Sequence, residues 1–384
     1  MSTHTQIAVV GGGLVGKAAA VTSARAGFTT RHIAPAAPPD RRTSALMGPS
    51  VDYLMSAQLI DAPDAIGVPL SRIRIIDCTD RLLRAPETVF DARETGLEAF
   101  GYNFPNAKLA ESFERAAEGI ETLSHKAASV ISAVRSDALW HLTLDGGDVV
   151  TCDLLVGADG KGSSIRAAAG IAVREKKYAQ AALVCDLELD RPLDGESVEF
   201  HFPNGPFTLV PAGGKRANLV WIDRRETLEA ARSDPDQFAQ SLAQKSGRAF
   251  GRPVPVTPSF VFALSSLSVD TAGKDGAVLV GESAHAFPPI GAQGLNLGLR
   301  DLANLDKCLG VANPGSYGWA PALSDAYARG RRGDLSRTGA FVDGLFGSLL
   351  SKHIPAQALR TAGLWGLKTL PGLRRRAIAF GLGQ

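Results

Sequence analysis

Three short apolar runs stop at glycine-rich turns, and each reads as a strand that feeds a helix. They are residues 6–10 (QIAVV), the run that ends at Gly157 (VVTCDLLVG) and residues 277–281 (AVLVG). An Ala-rich stretch that favours helix follows the first run and closes on Gly27. Strand, glycine turn and helix in this order predict an α/β nucleotide-binding fold.

Apolar and polar positions alternate between residues 179 and 223. The segments AALVCDLEL, SVEFHF, FTLVPA and ANLVWID are separated by Pro, Gly and Asp turns. This pattern predicts an antiparallel sheet inserted between segments of the nucleotide domain. Elsewhere the patterns predict an amphipathic helix over 108–119, strands over 129–134 and 139–144, and a mostly helical chain from 303 onward.

Length and charge narrow the class of protein. A chain of 384 residues suits two packed domains, because single cores stop growing at about 250 residues. With 41 basic and 39 acidic residues, the net charge of +2 makes nucleic acid an unfavoured partner. The four cysteines lie far apart without metal-ligand spacing, so we expect no metal site and a reducing, cytoplasmic environment. We find neither a signal peptide nor an apolar run of about 18 residues.

The first turn fits the pattern GxGxxG with Gly11, Gly13 and Gly16. These glycines would allow a tight turn, close approach of a pyrophosphate, and packing of helix on strand. The second strand should end in an acid that binds ribose, but Ala34 stands there. Either another segment such as 40–46 (DRRTSAL) holds the ribose, or the motif is a decoy.

The second and third turns carry acids. Asp159 and Gly160 lie in GADGKGSSIR, which is by itself consistent with an ordinary strand-to-helix turn capped by Ser163. Glu282 and His285 lie in GESAHAFPPIGAQGLNLGLRD. In their order and spacing, the three turns resemble those of FAD-dependent monooxygenases of the para-hydroxybenzoate hydroxylase type, over nearly the whole chain.

The resemblance implies a fold, a cofactor and a set of contacts. It implies a Rossmann-like FAD-binding domain with an inserted antiparallel β-sheet substrate domain and a helical C-terminus. The first turn would bind the ADP part of FAD, the second FAD and nicotinamide, and the third the ribityl chain, with Glu282 in place of the usual Asp. The implied FAD contacts are Gly11, Gly13, Gly16, Arg42, Asp159, Gly160, Gly281, Glu282, Gly294, Leu295 and Asn296.

Three further residues are assigned to the reaction side of the flavin. Pro288 would line the face where oxygen reacts, with Gln293 beside it at the start of the helix. That helix, expected from about Leu295, would aim its positive end at the flavin edge that becomes anionic on reduction. His285 either acts on the phenol proton or has a structural place near the flavin.

The implied domain boundaries follow the three turns. Residues 1–75, 105–175 and 271–310 would form the FAD-binding domain. Residues 76–104 and 176–270 would form the substrate domain, and residues 311–384 a helical C-terminal region. Phe200, Phe202, Phe207, Leu209 and Val220 would roof the substrate pocket, whereas His201 fits the solvent face of a strand equally well.

Within the family, AQGLNLGLRD and DRRTSAL are most similar to the ubiquinone-biosynthesis hydroxylases. This resemblance implies hydroxylation of a polyprenylated phenol with NADH or NADPH and O2. Asn106 stands where a basic residue is common, so one flavin-side contact would be lost or altered, while Arg42 would partly compensate for Ala34 as a phosphate or ribose ligand. The rival hypotheses are a hydroxylase of a small soluble aromatic such as salicylate, a prenyl reductase that uses FAD, and a non-catalytic flavoprotein in a quinone-biosynthesis complex.

The C-terminal segment combines apolar residues with Lys368, Arg374, Arg375 and Arg376. A solvated helix end and a peripheral role at the inner face of the membrane explain this composition equally well. Because the implied substrate is lipophilic, membrane attachment would bring the protein to its substrate.

Overall fold

The computed structural model describes residues 2–79, 84–350 and 354–382. Eight strands form the first sheet, in the order β18–β19–β11–β1–β2–β8, with β10 on β11 and β9 on β10. Its strands are β1 (Ser2–Val10), β2 (Thr30–Ile33), β8 (Leu123–Lys126), β9 (Val130–Ser136), β10 (Leu139–Leu144), β11 (Val149–Gly157), β18 (Gly273–Lys274) and β19 (Ala277–Leu279). The strands from β19 to β8 are parallel, so the three glycine turns gather at one edge.

Nine strands form the second sheet, in the order β20–β17–β12–β15–β14–β13–β5–β6, with β16 on β12. Its strands are β5 (Arg72–Asp77), β6 (Thr88–Asp91), β12 (Val173–Glu188), β13 (Glu196–Phe202), β14 (Gly205–Pro211), β15 (Arg216–Arg224), β16 (Val254–Pro255), β17 (Phe260–Val269) and β20 (His285–Ala286). All neighbours are antiparallel except β13 and β5. The predicted antiparallel sheet over 179–223 is confirmed.

A three-stranded sheet lies between these two. Its strands are β3 (Thr43–Met47), β4 (Val68–Leu70) and β7 (Gly101–Pro105), and β7 is central. Asn103 of β7 donates through Nδ2 to Asn218 Oδ1 of β15 at 2.7 Å. Met47 of β3 donates its backbone N–H to Asn296 Oδ1 at 2.9 Å. The small sheet thus ties the nine-stranded sheet to the third glycine turn.

Helices cover the sheets and fill the C-terminal part, as the sequence predicts. They are α1 (Leu14–Arg25), α2 (Gly48–Ser56), α3 (Pro63–Ile66), α4 (Asn106–Ala117), α5 (Ser164–Ala168), α6 (Arg225–Arg232), α7 (Pro235–Lys245), α8 (Gln293–Leu309), α9 (Trp319–Leu350), α10 (Ile354–Thr369) and α11 (Pro371–Leu382). Single 3₁₀ turns occupy Ala92–Thr95 and Gly281–Ser283. Within the described ranges, no helix has the length and apolar character needed to cross a membrane.

The two faces of the nine-stranded sheet belong to different cores. One face packs against α6 and α7 in a cluster that includes Phe200, Phe207, Leu209 and Trp221. On the other face, Val220 packs with Ile290 and with Phe346 of α9. Side chains alternate between faces along each strand, so this second face, the site face, is turned toward the loop that follows the third glycine turn.

The predicted pocket roof is therefore mostly wrong. Phe200, Phe207 and Leu209 are buried under α6 and α7, Phe202 packs against the same cluster, and Val220 alone is on the site face. His201, for which a solvent-face position was one interpretation, is 6% exposed and does not lie on a solvent face. The proposed domain boundaries remain predictions; those at 75 and 175 fall inside β5 and β12.

Candidate functional site

The first turn places its glycines where the dinucleotide motif requires them. Gly11 has φ +131°, and a Cβ there would meet the Ala158 carbonyl oxygen at 2.0 Å. A Cβ on Gly16 would meet the Gly11 oxygen at 2.1 Å, whereas a Cβ on Gly13 would meet nothing within 4 Å. Gly13 is also the N-cap of α1, and no side chain caps that helix. Gly11 and Gly16 therefore allow the turn to close tightly. Gly13 leaves open space in front of the free N–H groups at the start of α1, and this arrangement suits the binding of a pyrophosphate.

His32 supports this turn from β2. Its Nε2 lies 2.9 Å from the Gly11 carbonyl oxygen, and its side chain is buried. Burial lowers the pKa of His32 to about 4, so the ring is neutral at pH 7 and donates to that oxygen. Ala34, two residues after His32, is buried, and its Cβ faces Gly12. The absent acid is thus replaced by a methyl group that packs against the turn.

In the second turn, Asp159 is occupied by local hydrogen bonds. Its carboxylate accepts from the backbone N–H of Ser164 at 2.7 Å and from Ser283 Oγ at 3.0 Å, and it also binds Ser163 Oγ. Ser163 caps α5 by accepting from the N–H of Arg166 at 2.9 Å, as its position in the sequence predicted. Arg166 then donates to the Ser283 carbonyl oxygen at 2.9 Å. The second turn is therefore fastened to the third, and a role for Asp159 in cofactor contact stays a prediction.

A buried ion cluster holds the third turn. Asp301 of α8 is fully buried, and its Oδ2 accepts from the Gly281 N–H at 2.8 Å and from His285 Nε2 at 2.6 Å. Its Oδ1 accepts from Arg331 Nε of α9 at 2.7 Å. Although burial alone would raise the pKa of Asp301, His285 and Arg331 hold it below its usual value. His285 is 2% exposed, so this geometry supports its structural interpretation.

The start of α8 presents backbone donors. Ala292, its N-cap, has left-handed φ of 54° and makes no side-chain cap hydrogen bond. Asn296 donates to the carbonyl oxygens of Ala45 and Ala292, and Gln293 donates to Gly291 at 3.0 Å. A Cβ on Gly294 would meet nothing within 4 Å. The N–H groups of the first turn, including that of Leu295, can therefore face a polar or anionic ring edge, with the helix dipole adding to the attraction.

The predicted ribose or phosphate ligand, Arg42, is held by an acid. Its guanidinium contacts both carboxylate oxygens of Asp40, with Nη2 to Oδ2 at 2.8 Å. Asn106 Nδ2 also donates to Asp40 Oδ2, at 2.9 Å. Although partial burial would raise the pKa of Asp40, these bonds lower it to about 2. Bonding to Asp40, and then the charge of Glu282, raise the pKa of Arg42, so Arg42 lies within electrostatic range of the third turn.

A row of half-buried side chains crosses the site face, and we call it the site row. Its residues are directly paired neighbours on six adjacent strands. Its members are Ile75, Glu199, Thr208, Val220, Val184 and Phe260. Five of them are partly accessible and Phe260 is 56% exposed, whereas the residues that flank them in sequence on β13, β14 and β15 are buried. The row is therefore an accessible strip on the site face of this sheet.

Sequence reasoning missed the residues that fix the site from a distance. Asp301 is the last residue of the motif run GLNLGLRD, so the sequence marked its position. Its hydrogen bonds to the third turn could not be predicted, because they depend on how α8 packs. Arg331 had none, because Arg329 and Arg332 stand beside it in the same helix. Ser283 was hidden inside the third turn, where it accepts from the Gly160 N–H at 3.0 Å.

Comparisons with known proteins agree with this geometry. A family model described as "FAD binding domain" matches residues 4–333. The 3-demethoxyubiquinol 3-hydroxylase of Escherichia coli K12 is 30% identical over 394 residues, which cover 99% of this chain and 98% of that protein. The ubiquinone hydroxylase UbiL of Rhodospirillum rubrum is 29% identical, covering 98% of this chain and 89% of its own.

A solved structure shares the fold. The p-nitrophenol 4-monooxygenase PnpA of Pseudomonas putida DLL-E4 superposes with a TM-score of 0.79 at 16% identity, covering 100% of this chain and 99% of that chain. The glycine turn open at Gly13, the uncapped start of α8 and these matches lead to one assignment. The chain belongs to the FAD-binding-domain family of flavin-dependent monooxygenases, and its cofactor is FAD.

Proposed function

We propose that this protein hydroxylates the aromatic ring of a polyprenylated phenol in ubiquinone biosynthesis. The full-length similarity to the two ubiquinone-pathway hydroxylases supports this assignment. Bound FAD supplies electron transfer from NADH or NADPH and the activation of O2. The chain itself supplies the glycine turns, which would hold the cofactor, and the site face, which would orient the ring and exclude water.

The chemistry of the site row carries the proposal. Glu199 and Thr208 form a polar part, while Val220, Val184 and Phe260 continue as an apolar strip to the edge of the sheet. The next apolar position at this edge, Phe262, is 48% exposed, and its ring stacks with Phe260 at 6.4 Å. A ring with a hydroxyl at one end and a long apolar tail matches this division.

Apolar burial would provide most of the affinity for such a substrate. Each Å² of tail surface removed from water contributes about 25 cal/mol, so several isoprene units outweigh a single ring hydrogen bond. The ring hydroxyl then sets orientation rather than affinity.

A hydroxylase of small soluble aromatics would need a different strip. A salicylate or benzoate needs a cation for its carboxylate, but the six residues of the site row include no basic side chain and one acid, Glu199. A prenyl reductase and a non-catalytic flavoprotein differ from a hydroxylase in their use of O2. A reductase would consume NAD(P)H without O2, and a non-catalytic protein would bind FAD without turnover.

Substrate-stimulated oxidation of NAD(P)H tests the proposal. We expect the FAD-loaded protein to consume O2 and NAD(P)H with a prenylphenol and to respond weakly to a benzoate. Val184→Ser should raise KM for the long-tailed phenol and leave the tailless phenol unchanged. Val261→Ser, on the α6–α7 face of β17, is the matched control and should change neither KM. Stimulation by carboxylated aromatics alone would refute the assignment.

We also propose reversible attachment to a membrane surface. Trp365, Leu370 and Leu373 of the C-terminal region are 44–56% exposed. Lys368, Arg375 and Arg376 are exposed beside them, whereas Arg374 pairs with Glu94 at 2.9 Å. Each exposed cation near anionic lipid contributes about 1 kcal/mol, so binding should weaken with salt. We expect the protein to sediment with anionic vesicles but not with neutral vesicles. The same amount of protein in the pellet when no vesicles are added would contradict the proposal. Cytoplasmic location and membership of a quinone-biosynthesis complex stay predictions.

A further inference from the structure

Glu199 and His201 form a pair on the site face of β13. His201 Nε2 lies 3.1 Å from Glu199 Oε2. The side chain of His201 is 7% exposed and that of Glu199 is 24% exposed. Glu199 belongs to the site row, where Thr208 and Ile75 flank it across the strands. The carboxylate is therefore the accessible member of the pair and the imidazole the buried one.

The buried imidazole carries an unpaired nitrogen. His201 Nδ1 has no hydrogen-bond partner among the described residues and no access to solvent. An ionised carboxylate only accepts hydrogen bonds, so Nε2 must carry the proton that is directed at Glu199. Leaving a buried polar atom unpaired costs stability. Among the described residues, the ring hydrogen bond of His201 is therefore the one to Glu199, and this bond orients the carboxylate.

Other titratable groups on this sheet and in the third turn already have partners. Asp186 accepts from Asn218 Nδ2 at 2.6 Å, and Asp77 accepts from the Thr79 N–H and the Ala85 N–H. Arg74 of β5 pairs with Glu196 at 3.1 Å. His285, the candidate for the phenol proton in the third turn, has its Nε2 bound to Asp301.

We propose that Glu199 is a catalytic residue that accepts the proton of the ring hydroxyl, and that His201 is a positioning residue. This inference rests on the proposed function. The O–H bond of the phenol breaks, its proton moves to a carboxylate oxygen of Glu199, and the electron pair stays on the ring oxygen. The phenolate that results is the more electron-rich ring. When the product forms, the proton returns to oxygen or leaves to solvent, so no oxidant or reductant is needed for this step.

The replacement Glu199→Gln tests the assignment. It keeps an acceptor oxygen and the side-chain volume but removes the base. We expect the rate at which the phenol is hydroxylated to fall about 100-fold, because a general base typically contributes at least this factor. Affinity for a short-tailed prenylphenol, measured by fluorescence quenching, and FAD content should stay within about twofold, because burial of the tail and the glycine turns are unchanged.

The pH profile distinguishes a base from a structural residue. In the wild type, the rate should fall on the acid side as Glu199 takes up a proton, and this limb should vanish in Glu199→Gln. A prenylphenol made more acidic by ring fluorine should restore much of the lost rate. Glu188→Gln, in the same sheet beside Arg216, is the matched control and should retain the wild-type profile.

His201 is tested by two replacements. Gln presents an N–H near the position of Nε2, so His201→Gln should keep most of the rate and the acid limb. His201→Leu should lower kcat and displace the acid limb while leaving KM unchanged. The inference is wrong if the wild type hydroxylates and Glu199→Gln is fully active. It is also wrong if Glu199→Gln loses activity equally at every pH and keeps the wild-type pH profile. Either result leaves the proposed function standing. Absence of hydroxylation in the wild type would instead refute the proposed function.

Discussion

The two large sheets differ in how they build a site. In the eight-stranded sheet, backbone groups of the turns after β1, β11 and β19 would form the cofactor site, and Gly11 and Gly16 are needed because a Cβ on either would collide with backbone. In the nine-stranded sheet, side chains on one face would form the proposed substrate strip, whereas the opposite face is ordinary core. Backbone sites leave short motifs in a sequence, whereas a side-chain face depends on what packs against it.

This difference explains which sequence predictions held. The strand–turn–helix units and the antiparallel insertion were predicted because local periodicity specifies them. The roof failed because Phe207 and Val220 are equally apolar, and only the placement of α6, α7 and α9 decides which face is core. His201 was discounted for the same reason, since period-two alternation does not say which side is buried. The link from Arg331 to Asp301 spans two helices and has no local signature.

The largest expected effect belongs to the cofactor turn. Gly13→Val should fold, since a Cβ at this position meets no protein atom within 4 Å, but it should lose FAD because the side chain fills the approach to the α1 N–H groups. FAD released by acid precipitation of purified protein measures this. Gly11→Val is the contrasting variant and should fail to fold, because its Cβ would overlap the Ala158 carbonyl. Equal FAD content in Gly13→Val and wild type would show that the turn does not hold the cofactor.

The ion cluster behind the third turn should give the next largest effect. Asp301→Leu removes the acceptor of the Gly281 N–H and of Arg331 Nε, and leaves buried Arg331 with Asp334 as its remaining acid, so it should lower the free energy of unfolding by about 3–5 kcal/mol. Combining it with Arg331→Leu should cost less than Asp301→Leu alone, because Arg331 Nε is then no longer buried without its acceptor, and Asp334 keeps Arg300 as a partner. Urea unfolding gives both values. A double variant less stable than the single would contradict this account of the cluster.

The two faces of β14 and β15 should separate stability from substrate binding. Phe207→Ala opens a cavity under α6 and α7 and should cost about 3 kcal/mol or more of unfolding free energy. Val220→Ala, on the half-buried face, should cost about 1 kcal/mol and raise KM for a prenylated phenol. If both variants changed KM alike, the assignment of the site face would be wrong.

His32 should give a pH dependence of stability that is smaller than the effect of the Phe207 cavity. Its folded pKa of about 4 lies below its usual 6.5, so the unfolded chain binds more protons between these values. The contribution of neutral His32 to the free energy of unfolding is thus fully present above about pH 6.5 and declines as the pH falls toward 4. About 2 kcal/mol of it is lost by pH 5. Unfolding measured at pH 7 and pH 5 should show this slope, and His32→Gln should reduce it. An unchanged slope in the variant would assign the acid loss to other groups.

The central claim is oxygen insertion into a prenylated phenol, and isotope labelling tests it most directly. The FAD-loaded protein is given NAD(P)H, a prenylphenol and labelled dioxygen, and the product is analysed by mass spectrometry. We predict a ring hydroxyl that carries one labelled oxygen atom for each NAD(P)H oxidised. Reduction of the substrate without label, or NAD(P)H oxidation that yields peroxide and no hydroxylated product, would contradict the claim.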